Sequence, residues 1–342
     1  MLLLLACVAQ TPSEAALGEP AVYAPERAVD RAVVAVTPAL PESDPCDAPR
    51  PFPGDLIVSD IALASAFCAD FNGVDGSLTI ADADWSDLSP LSCLCTVGGN
   101  LVVRDDPNLA TLAGLERLQS VTGRLTLRAL DGLTDVDLPA LRRVGGRLTV
   151  EPNADLRSVR APELVYAGSV SIQYAPPLAS LSFPALVDIE KDLSLYGSES
   201  LRDLGGFAAL RRVGGVVYLD EVDAIVSLTG LEALREVGSL EIVDGDQLAS
   251  LAGINLTAVP GILLLDGNPA LSSVLALQPL RTVGTLDLRD NDALVDIQPL
   301  AGIESVTGDF IVTRNDRLPP SAAWDLVAEI GEDNIDGTVT IQ

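Results

Sequence analysis

The chain nearly repeats itself about every 23 residues. An apolar residue opening a short Gly-x-Leu-x-Val-like run recurs at Leu78, Leu101, Leu125, Leu148, Val170, Leu193, Val217, Leu240, Leu263, Leu286 and Phe310, at intervals of 22 to 24 residues. Eight residues further on, a second row reads Leu109, Leu133, Leu156, Leu178, Leu201, Ile225, Leu248, Leu271, Leu294 and Leu318, with no polar member. A period of this length held through so many units marks a repeat architecture, in which each unit buries its apolar face only against its neighbours. Two further copies frame the series, "PGDLIV" at Leu56 and "GTVTI" at Val339.

Within each unit the opening run is apolar at its first and third residues and polar between, the signature of a half-buried strand. Gly98-Gly99, Gly145-Gly146 and Gly214-Gly215 precede strands, where glycine is expected to supply a tight corner. After the strand comes a turn rich in Asp, Asn, Gly and Pro, then leucines spaced by three. So few residues per unit predict 3₁₀-like turns or short strands there instead of full helices. The expected fold is mainly β: a right-handed β-solenoid of about a dozen coils of about 23 residues, closed by a short C-terminal helix. Residues 1–7 read as a lipoprotein signal, 8–45 as a Pro/Ala-rich tether, 46–96 as a Cys-containing cap with the first coils, 97–318 as the repeat solenoid and 319–342 as a C-terminal cap.

The ends carry their own signals. Leu4-Leu5-Ala6-Cys7 resembles a bacterial lipobox, which implies lipidation of Cys7 and a membrane contact through that anchor alone. Val8, where an inner-membrane retention signal would place Asp, points to the outer membrane, with the chain at the cell surface or on the periplasmic face. The alternative is an ordinary apolar N-terminus or a start further upstream. The segment "AVVAV" in the tether reads as linker, with a short strand on the first coil as the alternative. Near the C-terminus, Ser321 is expected to cap the helix "AAWDLVAEI", which stops at Gly331, and Trp324 to lie as a lid on the last leucines. Cys46, Cys68, Cys93 and Cys95 form an even set in a chain read as exported, so they are disulfide candidates; four cysteines allow three connectivities.

Composition excludes several classes. The net charge is -28, there is no histidine, and Lys191 is the only lysine. Such a chain repels nucleic-acid phosphates and anionic lipid, so neither is expected as a partner. Without histidine the commonest general base is missing, and no nucleophile elbow or phosphate loop is present. No enzyme activity, cofactor or metal is therefore expected. A carbohydrate-active enzyme using paired carboxylates is the alternative on such a scaffold.

Units reading "VGGxLxVxxNxxLxxLxGLxxLxxV" resemble the receptor L domain, the β-helical ligand-binding module of insulin-receptor and epidermal-growth-factor-receptor ectodomains, and above all its bacterial and fungal cell-surface relatives. "FCADFNGVDGSLTI" is similar to that family's entry, and "NDRLPPSAAWDLVAEIGEDNIDGTVTI" to its closing helix and last strand. The resemblance covers Cys46 to the end. It implies a Cys46–Cys68-type disulfide, with no counterpart for Cys93 and Cys95. It also implies non-catalytic binding of a protein or glycan partner.

Strand residues between the buried ones face outward, which locates a candidate surface. Arg124 and Arg147 stand just before the strand core and Arg104 and Arg128 just after it, with Asn100, Thr126, Thr149 and Glu151 among them. Gln173, Tyr174, Tyr196 and Tyr218 follow in the next coils. Forked Arg donors and rigid Tyr surface suit ligand recognition, so these eight are the candidate binding residues. The plain alternative is a solubilising face on a structural spacer of the cell envelope. Later coils turn Ile262 and Leu264 outward, a possible homodimer seam or a patch under a loop. Asp106, Asn153, Asn268, Asn291 and Asn315 share a position five residues past the strand start, where side-chain amides can form an internal ladder; calcium on the neighbouring aspartates is the alternative.

Overall fold

The computed structural model describes residues 45–81 and 84–342, all within one compact unit. Cys7, the "AVVAV" segment and the tether up to Asp44 lie outside the described residues. The described chain is a parallel β-solenoid of about 11 turns. One side of every coil contributes to a 19-stranded sheet, and a small second sheet is formed by Asp135–Asp137, Ser158–Arg160 and Ser180–Ser182. The long sheet runs from Leu56–Val58, which pairs with Leu78–Ala81, to Val339–Ile341, which pairs with Phe310–Thr313. Both framing copies seen in the sequence are thus true coils.

The register follows the repeat: Leu78↔Leu101, Leu101↔Leu125, Leu125↔Leu148, Leu148↔Val170 and so on to Leu286↔Phe310. Because each strand opening lies beside its equivalent, every inward row stacks on itself. All eleven strand openings and all ten members of the second row are buried, and they belong to one continuous core. Between strands, 3₁₀ turns such as Gly205–Phe207, Leu275–Leu277 and Gln298–Gly302 carry the leucines spaced by three, as that spacing predicts.

Gly98-Gly99 bends the chain between two strands as expected, but Gly145-Gly146 and Gly214-Gly215 serve a different purpose from the expected corner. Strands such as Arg143–Val150 run straight through Gly145-Gly146 with a register shift. A Cβ on Gly145 would stand 2.1 Å from the Thr122 carbonyl oxygen of the coil below. Glycine is required there by close stacking of backbones, not by a left-handed φ. The left-handed residue comes after the strand instead, four residues past its start: Asp105, Ala129, Tyr174, Gly197, Glu221, Asp244, Gly267, Asp290 and Arg314 all have positive φ.

Three of the five residues expected to form a ladder do so, while the Asn153 amide has no partner and Asp106 only accepts from Trp85 N–H. Asn268 Nδ2 donates to the carbonyls of Ile242 and Asp266, Asn291 Nδ2 to those of Leu265 and Arg289, and Asn315 Nδ2 to those of Leu288 and Thr313. Each side chain ties its own strand to the previous coil.

Both caps differ in part from the sequence reading. At the N-terminal end, helix α1 (Ile61–Asp70), capped by the Asp60 carboxylate on Leu63 N–H, covers the first coils with Ala64 and Phe67. The disulfides are Cys46–Cys95 and Cys68–Cys93, not a Cys46–Cys68 pair. Cys68 on α1 lies over the 3₁₀ turn Ser89–Leu91 that leads to Cys93. Asn72 stacks its carbonyl on Cys95 N–H while its amide holds the Ala48 carbonyl, which brings the Cys46 segment to Cys95. At the C-terminal end, helix α2 (Pro320–Ile330) begins one residue before Ser321, with Pro319 at the N-cap and no side-chain cap. Ala323, Leu326, Val327 and Ile330 close the core, and Trp324 is 51% exposed. Helical spacing puts Trp324 at the edge of the buried stripe with half of its surface in solvent, so the lid is made by Ala323, Leu326, Val327 and Ile330 instead. No helix among the described residues is long and apolar enough to cross a membrane.

Candidate functional site

On the outer face of the long sheet, the central outward position of successive strands reads Val102, Thr126, Thr149, Ser171, Ser194 and Tyr218. Four short hydroxyl side chains in a row, between larger neighbours, leave a trough. Long side chains border it on both sides: Arg124 and Arg147 before the strand core, Arg128, Glu151 and Gln173 after it. Where the trough passes the bare backbone of Gly145, Gly146 and Gly168, it deepens into a concavity of about 430 Å³.

Its wall contains three cations and two carboxylates. Arg124, Arg147 and Lys191 stand with Glu151 and Glu190 around Thr126, Thr149 and Ser169. Arg147 is 3.7 Å from Asp192, whereas Arg124 and Lys191 form no ion pair among the described residues. Glu190 accepts a 2.5 Å hydrogen bond from the Tyr166 hydroxyl, and the Arg143 guanidinium lies 3.8 Å above the Tyr166 ring. That hydrogen bond to Glu190, with some burial, raises the Tyr166 pKa and keeps the phenol a donor. Thr149 is only 8% exposed and Ser169 only 4%. No protein group bonds the Thr149 hydroxyl, and Ser169 Oγ receives only a long 3.4 Å contact from Asp192 N–H.

The four arginines predicted from the sequence face outward but do not form one cluster. Arg124 and Arg147 border the concavity. Arg104 and Arg128 are register partners on the far side of the trough, about 13 Å along the strand from Arg124 at ~3.3 Å per residue. Arg104 is held by Asp105. The tyrosines also divide. Tyr174 and Tyr196 meet edge to face with centroids 4.9 Å apart, and Tyr174, with Pro152, Pro176, Asp131, Glu199 and Glu221, frames a second depression of about 320 Å³. Tyr218 is half-buried and donates to Asp220; desolvation first, then that bond, pushes its pKa well up. Gln173 turns its amide onto Ser171 Oγ at 3.0 Å. Ile262 is 41% exposed and Leu264 half-buried on a later part of the same face.

Sequence reasoning missed Lys191, Glu190 and Ser169, yet a signal for Lys191 was present. The position two residues before each strand opening is glycine in every coil from Gly54 to Gly337, except at Lys191. In this column a Cβ meets backbone of the coil below, at 2.5 Å for Gly168. The strand of the Lys191 coil divides into Asp188–Ile189 and Leu193–Tyr196, as the strands around Gly99, Gly123 and Gly308 also divide, so the lysine sits in the column without changing its strand pattern.

No protein-family model matches the chain, and no curated protein matches it. Among the described residues, no three acidic or cysteine side chains gather in a way that could hold a metal ion.

Proposed function

We propose that this chain is a non-catalytic recognition protein, exported and displayed by a lipid on Cys7, that binds a protein or glycan ligand on the outer face of its long sheet. The observation that carries the reading is the concavity under Arg124, Arg147 and Lys191. It lies on the repetitive outer face and is lined by Thr149, whose hydroxyl no protein group bonds, and by Ser169, whose Oγ accepts only a long contact from Asp192 N–H. Neither hydroxyl proton has a protein acceptor, so both donors are free for a ligand. Two disulfides in the cap support an oxidising compartment. The similarity of the repeat to the receptor L domain supports recognition over catalysis.

The test is a blocking substitution. Thr149→Trp fills the trough from a strand position that already points outward. Arrays of glycans and of envelope proteins are screened with the parent chain and with this variant, and both are checked for an unchanged circular dichroism spectrum. Ligands retained by the parent and lost by the variant support the reading. Ligands bound equally by both would place recognition elsewhere, and no ligand at all would favour an envelope spacer.

A further inference from the structure

We infer that the concavity takes an acidic saccharide, a sugar unit carrying a carboxylate, with Lys191 as the residue that selects for the acid. This deepens the recognition reading and rests on it. Three observations lead there, each independent of the others.

First, the wall has no aliphatic or aromatic side chain; it is glycine, hydroxyl and charge. Protein partners anchor through aromatic or aliphatic groups in apolar pockets, and none is offered. Second, the charges are mixed. A bare phosphate or sulfate would meet Glu151 and Glu190 as well as the cations, at a cost in repulsion. An acidic sugar uses both signs: its carboxylate accepts from Arg124 and Lys191, and its hydroxyls donate to Glu151 and Glu190. Thr149 and Ser169, nine-tenths buried, line the same space, and neither hydroxyl proton has a protein acceptor. A volume of about 430 Å³ falls at the small end of the ~300–1,000 Å³ typical of ligand sites, enough for one or two sugar rings.

Third, Lys191 breaks a local rule without a structural return. It is the only lysine of the chain and the only side chain in the glycine column. Its ammonium has no carboxylate partner among the described residues, and its side chain stands where every other coil leaves bare backbone. Local violations that nothing in the fold compensates mark functional positions. An unpaired cation beside the equally unpaired Arg124, in a chain of net charge -28, is also a local attractor for an anion on this face.

Lys191→Gly separates function from folding, because it restores the residue that every other coil carries. The full chain is titrated calorimetrically with a tetra-galacturonate, with the same oligomer reduced to its neutral form, and with inorganic phosphate. The parent is expected to bind the acidic oligomer at least 10-fold more tightly than the neutral one or phosphate. Lys191→Gly is expected to melt at or above the parent temperature yet to lose at least 10-fold in affinity for the acidic oligomer. Thr149→Val, an isosteric loss of one hydroxyl, is expected to lose about 5-fold. Equal binding of acidic and neutral oligomers, or undiminished binding by Lys191→Gly, overturns the acidic-sugar assignment. So does failure of the acidic oligomer to bind while another ligand is lost on Thr149→Trp; in that case the recognition reading stands and only the ligand class falls. Tighter binding of phosphate than of the oligomer likewise overturns it.

Discussion

The asparagine ladder predicts that two residues alike in sequence position differ in what they contribute. Asn291 and Asn153 both lie five residues past a strand start and both are fully buried. The two Asn291 amide protons go to Leu265 O at 2.9 Å and Arg289 O at 2.8 Å, with a longer shared contact to Asn315 Oδ1 at 3.2 Å, while Asn291 Oδ1 has no partner. By contrast, Asn153 Oδ1 accepts from Leu130 N–H at 3.0 Å, but its amide group has no partner. Net values of about 0.5–1.5 kcal/mol per hydrogen bond give about 2–4 kcal/mol for Asn291→Ala and about 1 kcal/mol for Asn153→Ala. The Arg289 carbonyl keeps Gly267 N–H as a partner, which holds the first estimate below the full penalty for an orphaned group. Leu130 and Val222 occupy the same row in other coils, so Asn291→Leu restores volume without donors and should still cost about 2 kcal/mol. Asn291→Asp should be the most damaging at neutral pH, since a carboxylate oxygen would then face two carbonyls. Urea denaturation followed by far-ultraviolet circular dichroism, with slopes compared to confirm unchanged cooperativity, measures all four. Equal losses for Asn291→Ala and Asn153→Ala would refute the assignment of stability to the amide's donors.

Three further outcomes follow from single observations. Ala129 has φ +52, which costs an L-residue about 1–2 kcal/mol; Ala129→Gly should therefore stabilise by about 0.5–1 kcal/mol after glycine's larger unfolded-state entropy, read as a higher urea midpoint. Gly168→Ala places a Cβ 2.5 and 2.6 Å from the carbonyl oxygens of Gly145 and Gly146 and should destabilise by about 1–3 kcal/mol through overpacking; a neutral effect in the same denaturation assay would mean that the stacked backbones yield. Glu241 has its pKa raised by desolvation, so the folded state holds its proton more tightly than the unfolded chain. Stability from this group is full at low pH and declines as pH rises through its titration. Glu241→Gln should therefore be more stable than the parent at pH 7, by an amount that solvent screening keeps small, with the advantage vanishing below the unfolded carboxylate pKa in melts taken from pH 3 to 7.

The period made the fold legible, down to the register of strands and the identity of the buried rows. A row that recurs at one position in ten coils has only one way to be buried, against its own copies. The Asn ladder was legible for the same reason. The binding face was legible only in part. Alternation told which of Arg104, Arg124, Arg128 and Arg147 point outward, but not that two border the concavity while two stand across the trough. Lys191 went unnoticed because it stands two residues before the strand opening, outside the alternating run, and Ser169 because it shares the column of Arg147 but carries neither charge nor ring.

The amino-acid order by itself determined the coil: its length, its inward leucines and asparagines, its outward polar residues and its stacking on equal neighbours. Those properties depend on backbone alternation and on repetition, both of which are local. Tertiary structure decided what depends on distances between unequal elements. It paired Cys68 with Cys93 across α1 and Cys46 with Cys95 across Asn72. It also turned Trp324 to solvent and gathered Arg124, Arg147 and Lys191 around one hollow. A difference of one residue in coil length, or one lysine in a column of glycines, moves such groups by ångströms, a displacement that repetition alone does not encode.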